Sequence, residues 1–296
     1  MITVIPNQAI LGATILGIDA AQPIADADWG QLLAALGRYG VLRFPDQHLD
    51  PAQLKTFSEK FGDIQGSITK ATKEETPEVN VLSNIKEDGE YIGMHDAGQD
   101  WHTDMSYRDV MGFVNVLYGI TIPRRDGRAL GGTEFSNMQA AYDDLPDDIK
   151  QRLAGMTVTH DFDKFWEMMR LRPGSMRKPL TGEQRRLRPP AVHDVFLTHP
   201  ITGRKSLYCN PGYAMRINQM SGPDSDAMLT YLFDHQLQDK YRFTHVWTEN
   251  DLLVWDNLGT IHRAIADYLP EEKRLIRRCQ VMATKVFDPG FLPKAA

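Results

Sequence analysis

Two cysteines in 296 residues, Cys209 and Cys279, with no CxxC pair, leave no material for a disulfide framework or a thiolate metal cluster. No run of about 18 uncharged apolar residues occurs, so no membrane-spanning helix is expected. The opening Met1-Ile2-Thr3-Val4-Ile5-Pro6 lacks a basic segment followed by an apolar stretch, so no signal peptide is expected and the cytoplasm is the default compartment. Positive charge is also scarce. Lys and Arg number 33 against 39 Asp and Glu, a formal net charge of -6, which argues against nucleic acid and against an anionic membrane surface as partner. Small molecules or further subunits remain.

What is present is ordinary globular material, 42% apolar and 24% charged. The length allows one large domain or two of roughly 150 residues. Periodicity and turn residues predict strands near 13–18, 40–45, 113–122, 133–136, 195–198, 206–209, 241–247, 252–256 and 278–284. Helices are predicted over 26–38, 50–61, 138–153 and 224–236, with Asp50-Pro51 and Asn137 as starts. Many short strands framed by a few helices, without βαβ alternation, predict a mainly β fold with flanking helices around a double-sheet core.

Two stretches break the pattern. Residues 63–100 are polar and weakly patterned, and a long irregular stretch inside a compact chain reads as a functional loop. Residues 160–190 carry a charge reversal: between Lys164 and Arg188 there are eight basic residues and two acidic ones. Phe162, Phe165, Trp166, Met168 and Met169 lie in the same stretch. They either pack it onto the core or form a lid that selects a bulky acidic ligand.

The tripeptide most suggestive of chemistry is His102-Thr103-Asp104. On an extended strand residues i and i+2 share a face, so an imidazole and a carboxylate grip one metal from one side. Downstream, Trp255-Asp256-Asn257-Leu258-Gly259-Thr260-Ile261-His262 supplies a further histidine after an apolar strand. Two imidazoles and a carboxylate on one face leave three adjacent positions open, the pattern of non-heme Fe(II) oxygenases. An HxD tripeptide alone also arises where the histidine merely hydrogen-bonds the aspartate. Ligands at 102, 104 and 262 would be split by any boundary near residue 150, which favours one domain spanning 1–296.

The wider motif set resembles the taurine dioxygenase and dichlorophenoxyacetate dioxygenase family (TauD/TfdA) of Fe(II)- and 2-oxoglutarate-dependent enzymes. It comprises Phe44-Pro45-Asp46-Gln47, Phe61-Gly62, Trp101-His102-Thr103-Asp104, Gly131-Gly132-Thr133, Thr198-His199-Pro200, Asn210-Pro211-Gly212-Tyr213, Trp255-Asp256-Asn257, His262 and Arg274 to Arg278, in family order over the whole length. The resemblance implies a double-stranded β-helix (jelly-roll, cupin-like) core, with lid-like insertions near 63–100 and 160–190. It implies Fe(II) held by His102, Asp104 and His262, and 2-oxoglutarate and O2 as cosubstrates. Thr133 and Arg274 would meet the distal carboxylate of 2-oxoglutarate, with Lys273 as the rival anchor. Arg278, Tyr213, Tyr107 and Met105 would face the substrate.

The implied reaction hydroxylates a small anionic organic substrate, with C–O or C–S cleavage as a sequel, and releases succinate and CO2. The same chemistry on a larger secondary metabolite is the alternative. A Zn-dependent hydrolase would share the ligands but would have no need of Thr133 and Arg274. The loop after Phe61-Gly62, Asp63-Ile64-Gln65-Gly66-Ser67-Ile68-Thr69, has no histidine of the kind the taurine-specific members place there, so taurine is not the expected substrate. Family habit implies a homodimer or homotetramer.

Overall fold

A computed structural model describes residues 2–66, 76–175 and 177–292; the remainder, including 67–75 of the expected 63–100 loop, lies outside the described residues. The fold is mixed α/β with more strand than helix. Its largest sheet has seven strands in the order Thr3–Pro6, Ala13–Leu16, Val41–Phe44, Leu252–Asp256, Gly112–Thr121, Leu275–Met282, Asn80–Ser83. A three-stranded sheet, Arg242–His245, Thr133–Asn137, Thr260–Ala264, carries the second half of the site. A further three strands, Ala191–Asp194, Thr157–His160, Ala214–Ile217, support the region around residue 160.

The central strands Gly112–Thr121 and Leu252–Asp256 are buried almost throughout. Their near-continuous Val, Leu and Phe content is that of strands covered on both faces. The helices Asp26–Tyr39 and Pro51–Glu59 pack on the large sheet, burying Leu32, Leu33, Leu36, Leu54 and Phe57 in one cluster with Phe44, Phe113 and Val254. Asp50 caps the second helix in a box with Gln53, as Asp50-Pro51 foretells.

Several expectations need correction. One βαβ unit exists, because Ala13–Leu16 and Val41–Phe44 pair in parallel across the helix Asp26–Tyr39. Gly40, at φ 70, ends that helix in the left-handed conformation and turns the chain straight into the next strand. The helix expected over 138–153 is two, Met138–Asp143 and Asp147–Leu153. Pro146 lacks an N–H and disfavours helical backbone at the residue before it, which breaks the run. The last strand runs over Leu275–Met282, not 278–284. Residues 160–190 contain an unforeseen helix, Phe162–Arg170, N-capped by Asp161, and a one-turn helix, Gly182–Arg186. No helix among the described residues is long and apolar enough to cross a membrane.

Candidate active site

His102, Asp104 and His262 converge as expected. They are buried, and one ligand atom from each lies within 4.8 Å of the others. The route to this differs from the predicted extended strand. His102 forms an isolated antiparallel bridge with His262, exchanging both backbone hydrogen bonds (3.0 and 2.8 Å), and the chain then turns at Asp104 with Met105 at φ 61. A single bridge thus locks the HxD segment onto the strand Thr260–Ala264 and sets both histidines side by side.

Hydrogen bonds decide which atoms face inward. His102 Nδ1 lies 2.7 Å from the Asp100 carbonyl, so it carries the proton and leaves Nε2 free as a ligand. Asn115 Nδ2 donates to Asp104 Oδ2 at 2.7 Å, while Asp104 Oδ1 sits 3.5 Å from His102 Nε2. Burial disfavours the Asp104 carboxylate, but the adjoining His102 and the charge of Arg278 outweigh it and hold the carboxyl well below its usual range. Burial, then the neighbouring His102, pushes His262 well below the usual imidazole range. An ionised carboxylate beside a neutral imidazole is the protonation state a metal requires.

Two pockets open on this triad. One is lined by Thr133, His262, Arg274, Arg278 and Tyr268. Arg274 is buried, its Nε has no partner, and no carboxylate among the described residues pairs with it. A buried unpaired guanidinium is costly unless an anion completes it. Trp247 Nε1 donates to Thr133 Oγ1 at 3.0 Å, which occupies the oxygen and leaves the hydroxyl proton for a ligand in the pocket. Lys273 lines a separate outer groove. The residues present therefore fit both a divalent metal and a carboxylate cosubstrate.

The other pocket, of about 240 Å³, is walled by Met105, Tyr107 and Tyr213 together with Phe162, Phe165 and Met169 of the unforeseen helix. Phe165 lies 4.8 Å from the His102 ring and 4.9 Å from Tyr213. The motif Asn210-Pro211-Gly212-Tyr213 becomes intelligible here. Asn210 Oδ1 accepts from the Tyr213 N–H, and a Cβ at Gly212 would lie 2.9 Å from Phe165 and 3.0 Å from His102, so only glycine admits both. Burial, then Asp104, raises the Tyr107 phenol, and burial, then Tyr107, raises that of Tyr213, so both remain donors. The aromatics of 160–190 thus pack the segment onto the core, the first of the two readings weighed for them, and Phe162, Phe165 and Trp166 also line the pocket.

Sequence reasoning missed Asn115, Trp247 and the pairing within the basic stretch. Asn115 left a trace, the lone polar residue in Phe113-Val114-Asn115-Val116-Leu117. Trp247 left none. Four of the eight basic residues are consumed by carboxylates: Arg170 by Glu167, Arg172 by Asp100, Arg177 by Asp96 and Arg185 by Asp163. His199, of the motif Thr198-His199-Pro200, donates from Nε2 to buried Asp256 (2.8 Å) while its Nδ1 accepts from the Ile201 and Thr202 amides.

Fold and site together define an enzyme with a two-histidine, one-carboxylate metal centre beside a pocket lined by a buried arginine. The model of the taurine catabolism dioxygenase TauD, TfdA family matches residues 3–280. Pentalenolactone F synthase of Streptomyces avermitilis is 32% identical over 100% of this chain and 98% of its own. The alpha-ketoglutarate-dependent 2,4-dichlorophenoxyacetate dioxygenase of a Burkholderia species is 30% identical over 83% and 82%. The crystal structure of AAD-2 in complex with Mn(II) and N-oxalylglycine superposes with a TM-score of 0.80 at 27% identity, covering 96% of this chain and 98% of that one. The chain belongs to the TauD, TfdA family: it is an alpha-ketoglutarate-dependent dioxygenase, using Fe(II) at the His102, Asp104, His262 triad and 2-oxoglutarate as cosubstrate.

Proposed function

We propose that residues 1–296 form one dioxygenase domain on a jelly-roll core that hydroxylates a small anionic organic substrate, with release of succinate and CO2. The observation that carries this reading is the pair of pockets sharing one triad. One holds a buried guanidinium with no carboxylate partner among the described residues, and the other sets an aromatic wall against Arg188 and Arg278. Bound Fe(II) supplies O2 activation and couples the oxidative decarboxylation of 2-oxoglutarate to attack on a substrate C–H bond.

The chain's own residues bind and orient. Arg274 takes the distal carboxylate of 2-oxoglutarate in a charge-assisted pair, and Thr133, held by Trp247, donates to the same group. Arg278 lies 3.6 Å from Asp104 and lines both pockets, so it offers a cation to the substrate beside the metal. Tyr213, Tyr107 and Met105 close the wall opposite and keep water from the reacting carbon. Full-length likeness to pentalenolactone F synthase favours a second reading, the same chemistry on a larger organic substrate.

Anaerobic addition of Fe(II) and 2-oxoglutarate is expected to give a weak lilac absorption band. A screen of succinate formation over small carboxylates, phenoxyalkanoates and sulfonates is then expected to find acids that stimulate turnover. A band without any stimulating acid would overturn the substrate class. Light scattering will read the expected homodimer or homotetramer.

A further inference from the structure

Three arginines line the apolar pocket, and they are not equivalent. Arg177 is saturated: its Nε and Nη2 reach the two carboxylate oxygens of Asp96 at 3.0 and 2.6 Å, and its guanidinium lies over Trp166. Arg278 faces Asp104. Arg188 has no carboxylate among the described residues. Its guanidinium lies 5.0 Å over the Phe162 ring, and among the described residues its one side-chain hydrogen bond is a long one, 3.4 Å, to the Gln184 carbonyl.

The placement of Arg188 is fixed. A capping box between Thr181 and Gln184 starts the short helix Gly182–Arg186, whose last turn holds the Arg188 amide on the Arg185 carbonyl at 3.0 Å. Pro189 and Pro190 follow at once and restrict the backbone. A half-buried guanidinium, aimed by its backbone and stacked on an aromatic ring, keeps most of its five donors unspent. Nearby, among the described residues the Tyr107 hydroxyl donates only to the Met105 sulfur at 3.2 Å, a weak acceptor that an oxygen ligand would displace.

Resting on the reading of this pocket as the substrate site, we propose that Arg188 is the anion-binding residue of the pocket's insert side. The substrate is then an amphiphilic organic acid. Its apolar body contacts Phe162, Phe165 and Met169, and its carboxylate or sulfonate meets Arg188, while Arg278 stays on the metal side with Asp104. The local basic excess thereby contracts to one working cation. Of the eight basic residues, four are paired with carboxylates, Lys164 donates to the Ala214 carbonyl, and Lys178 and Arg186 do not line the pocket.

The test uses the Mn(II)- and 2-oxoglutarate-loaded protein and matched pairs of probes: phenoxyacetate, 2,4-dichlorophenoxyacetate and cyclohexylacetate, each with its methyl ester. Binding is read by calorimetry and by quenching of tryptophan fluorescence. In the wild type at least one acid should bind at least tenfold tighter than its ester, as a charge-assisted contact demands. Arg188→Gln should abolish that preference while leaving ester affinity within about threefold, and Arg188→Lys should restore part of it. If no acid outbinds its ester, absence of all binding included, or if Arg188→Gln keeps the preference while Arg278→Gln loses it, the proposal is overturned. Phe165→Ala separates this failure from that of the underlying reading: acids whose affinity it leaves unchanged are binding outside the pocket, and then the substrate-site reading itself fails.

Discussion

His102, Asp104, His262, Thr133 and Arg274 stand on or beside strands whose backbones are hydrogen-bonded on both sides, and their partners Asn115 and Trp247 come from equally buried chain. Phe162, Phe165, Trp166, Arg177 and Arg188 stand on a nine-residue helix, a one-turn helix and the irregular chain between and after them. The first group must reproduce one geometry, since a displacement of about 1 Å spoils metal or cosubstrate binding. On the proposed reading the second needs only to enclose a shape, and it is held by the buried Phe165 and Met169 together with partly exposed ion pairs. That reading invests chemistry in the sheets and selectivity in the insert.

The sharpest test of that division acts on the sheet half. Asp104→Ala removes a charged ligand from a site with only three, and succinate formation should disappear along with tight Fe(II) retention in equilibrium dialysis. Chelation of the wild-type protein should reproduce the loss, and added Fe(II) should reverse it. Retained turnover in Asp104→Ala would mean that the triad is not the metal site.

Arg274 gives a test with two opposite signs. Replacing it by Met removes a buried cation that has the Tyr268 ring beside it but no carboxylate partner among the described residues, so the apo melting temperature should rise by a few degrees. The same variant should lose 2-oxoglutarate affinity by roughly 30-fold or more, the cost of truncating a buried charge pair. A stability loss with unchanged KM for 2-oxoglutarate would place the cosubstrate elsewhere. Arg278→Ala should raise the KM of an acidic substrate about tenfold or more and that of 2-oxoglutarate much less; equal effects would remove Arg278 from the substrate side.

His160 lies where the supporting sheet hands the chain to the insert. Burial, then the neighbouring charge of His193, pushes its pKa down to about 3, with a smaller contribution in the same direction from Lys164. The folded protein keeps this imidazole neutral, while the unfolded chain binds its proton near pH 6.5. Stability is thus fully present above 6.5 and is lost as pH falls toward 3, by up to about 1.4 kcal/mol per pH unit. Urea midpoints measured across that window should fall with acid in the wild type and fall less steeply in His160→Gln. Parallel slopes would show that other groups govern the acid limb.

The same division explains what the sequence disclosed. The metal triad is legible because chemistry fixes both residue type and spacing, and apolar runs such as 113–118 and 252–255 mark the strands beside it; Thr133 and Arg274, expected from the family resemblance, do line one pocket with His262. The insert is conspicuous in composition, and its nine-residue helix is also legible in spacing, since Phe162, Phe165, Trp166 and Met169 stand at i, i+3, i+4 and i+7. What the spacing does not disclose is the partner of that face, Phe165 packing against His102 and Tyr213. Its arginines read as a surface waiting for anions because charge counting cannot see Asp96 and Asp100, seventy and more positions upstream in the chain, folding back to meet them. Tertiary pairing also hid the role of Asp100, whose carbonyl receives the His102 Nδ1 proton.

That last contact supplies the smallest and most discriminating effect. Arg177 to Asp96 and Arg172 to Asp100 fasten the insert to the segment leading into His102-Thr103-Asp104, and Arg172 also reaches Gln99 at 2.6 Å. Both pairs are partly exposed, so each contributes about 0.2–1 kcal/mol. The double variant Arg172→Ala, Arg177→Ala should raise the substrate KM about three- to tenfold, leave the 2-oxoglutarate KM within about twofold, and speed proteolytic cleavage within 160–190. High salt should mimic it in the wild type, since screening weakens the same pairs. A comparable rise in both KM values would show the fastening transmitted through Asp100 to His102, making the insert part of the metal frame and erasing the division between the two halves.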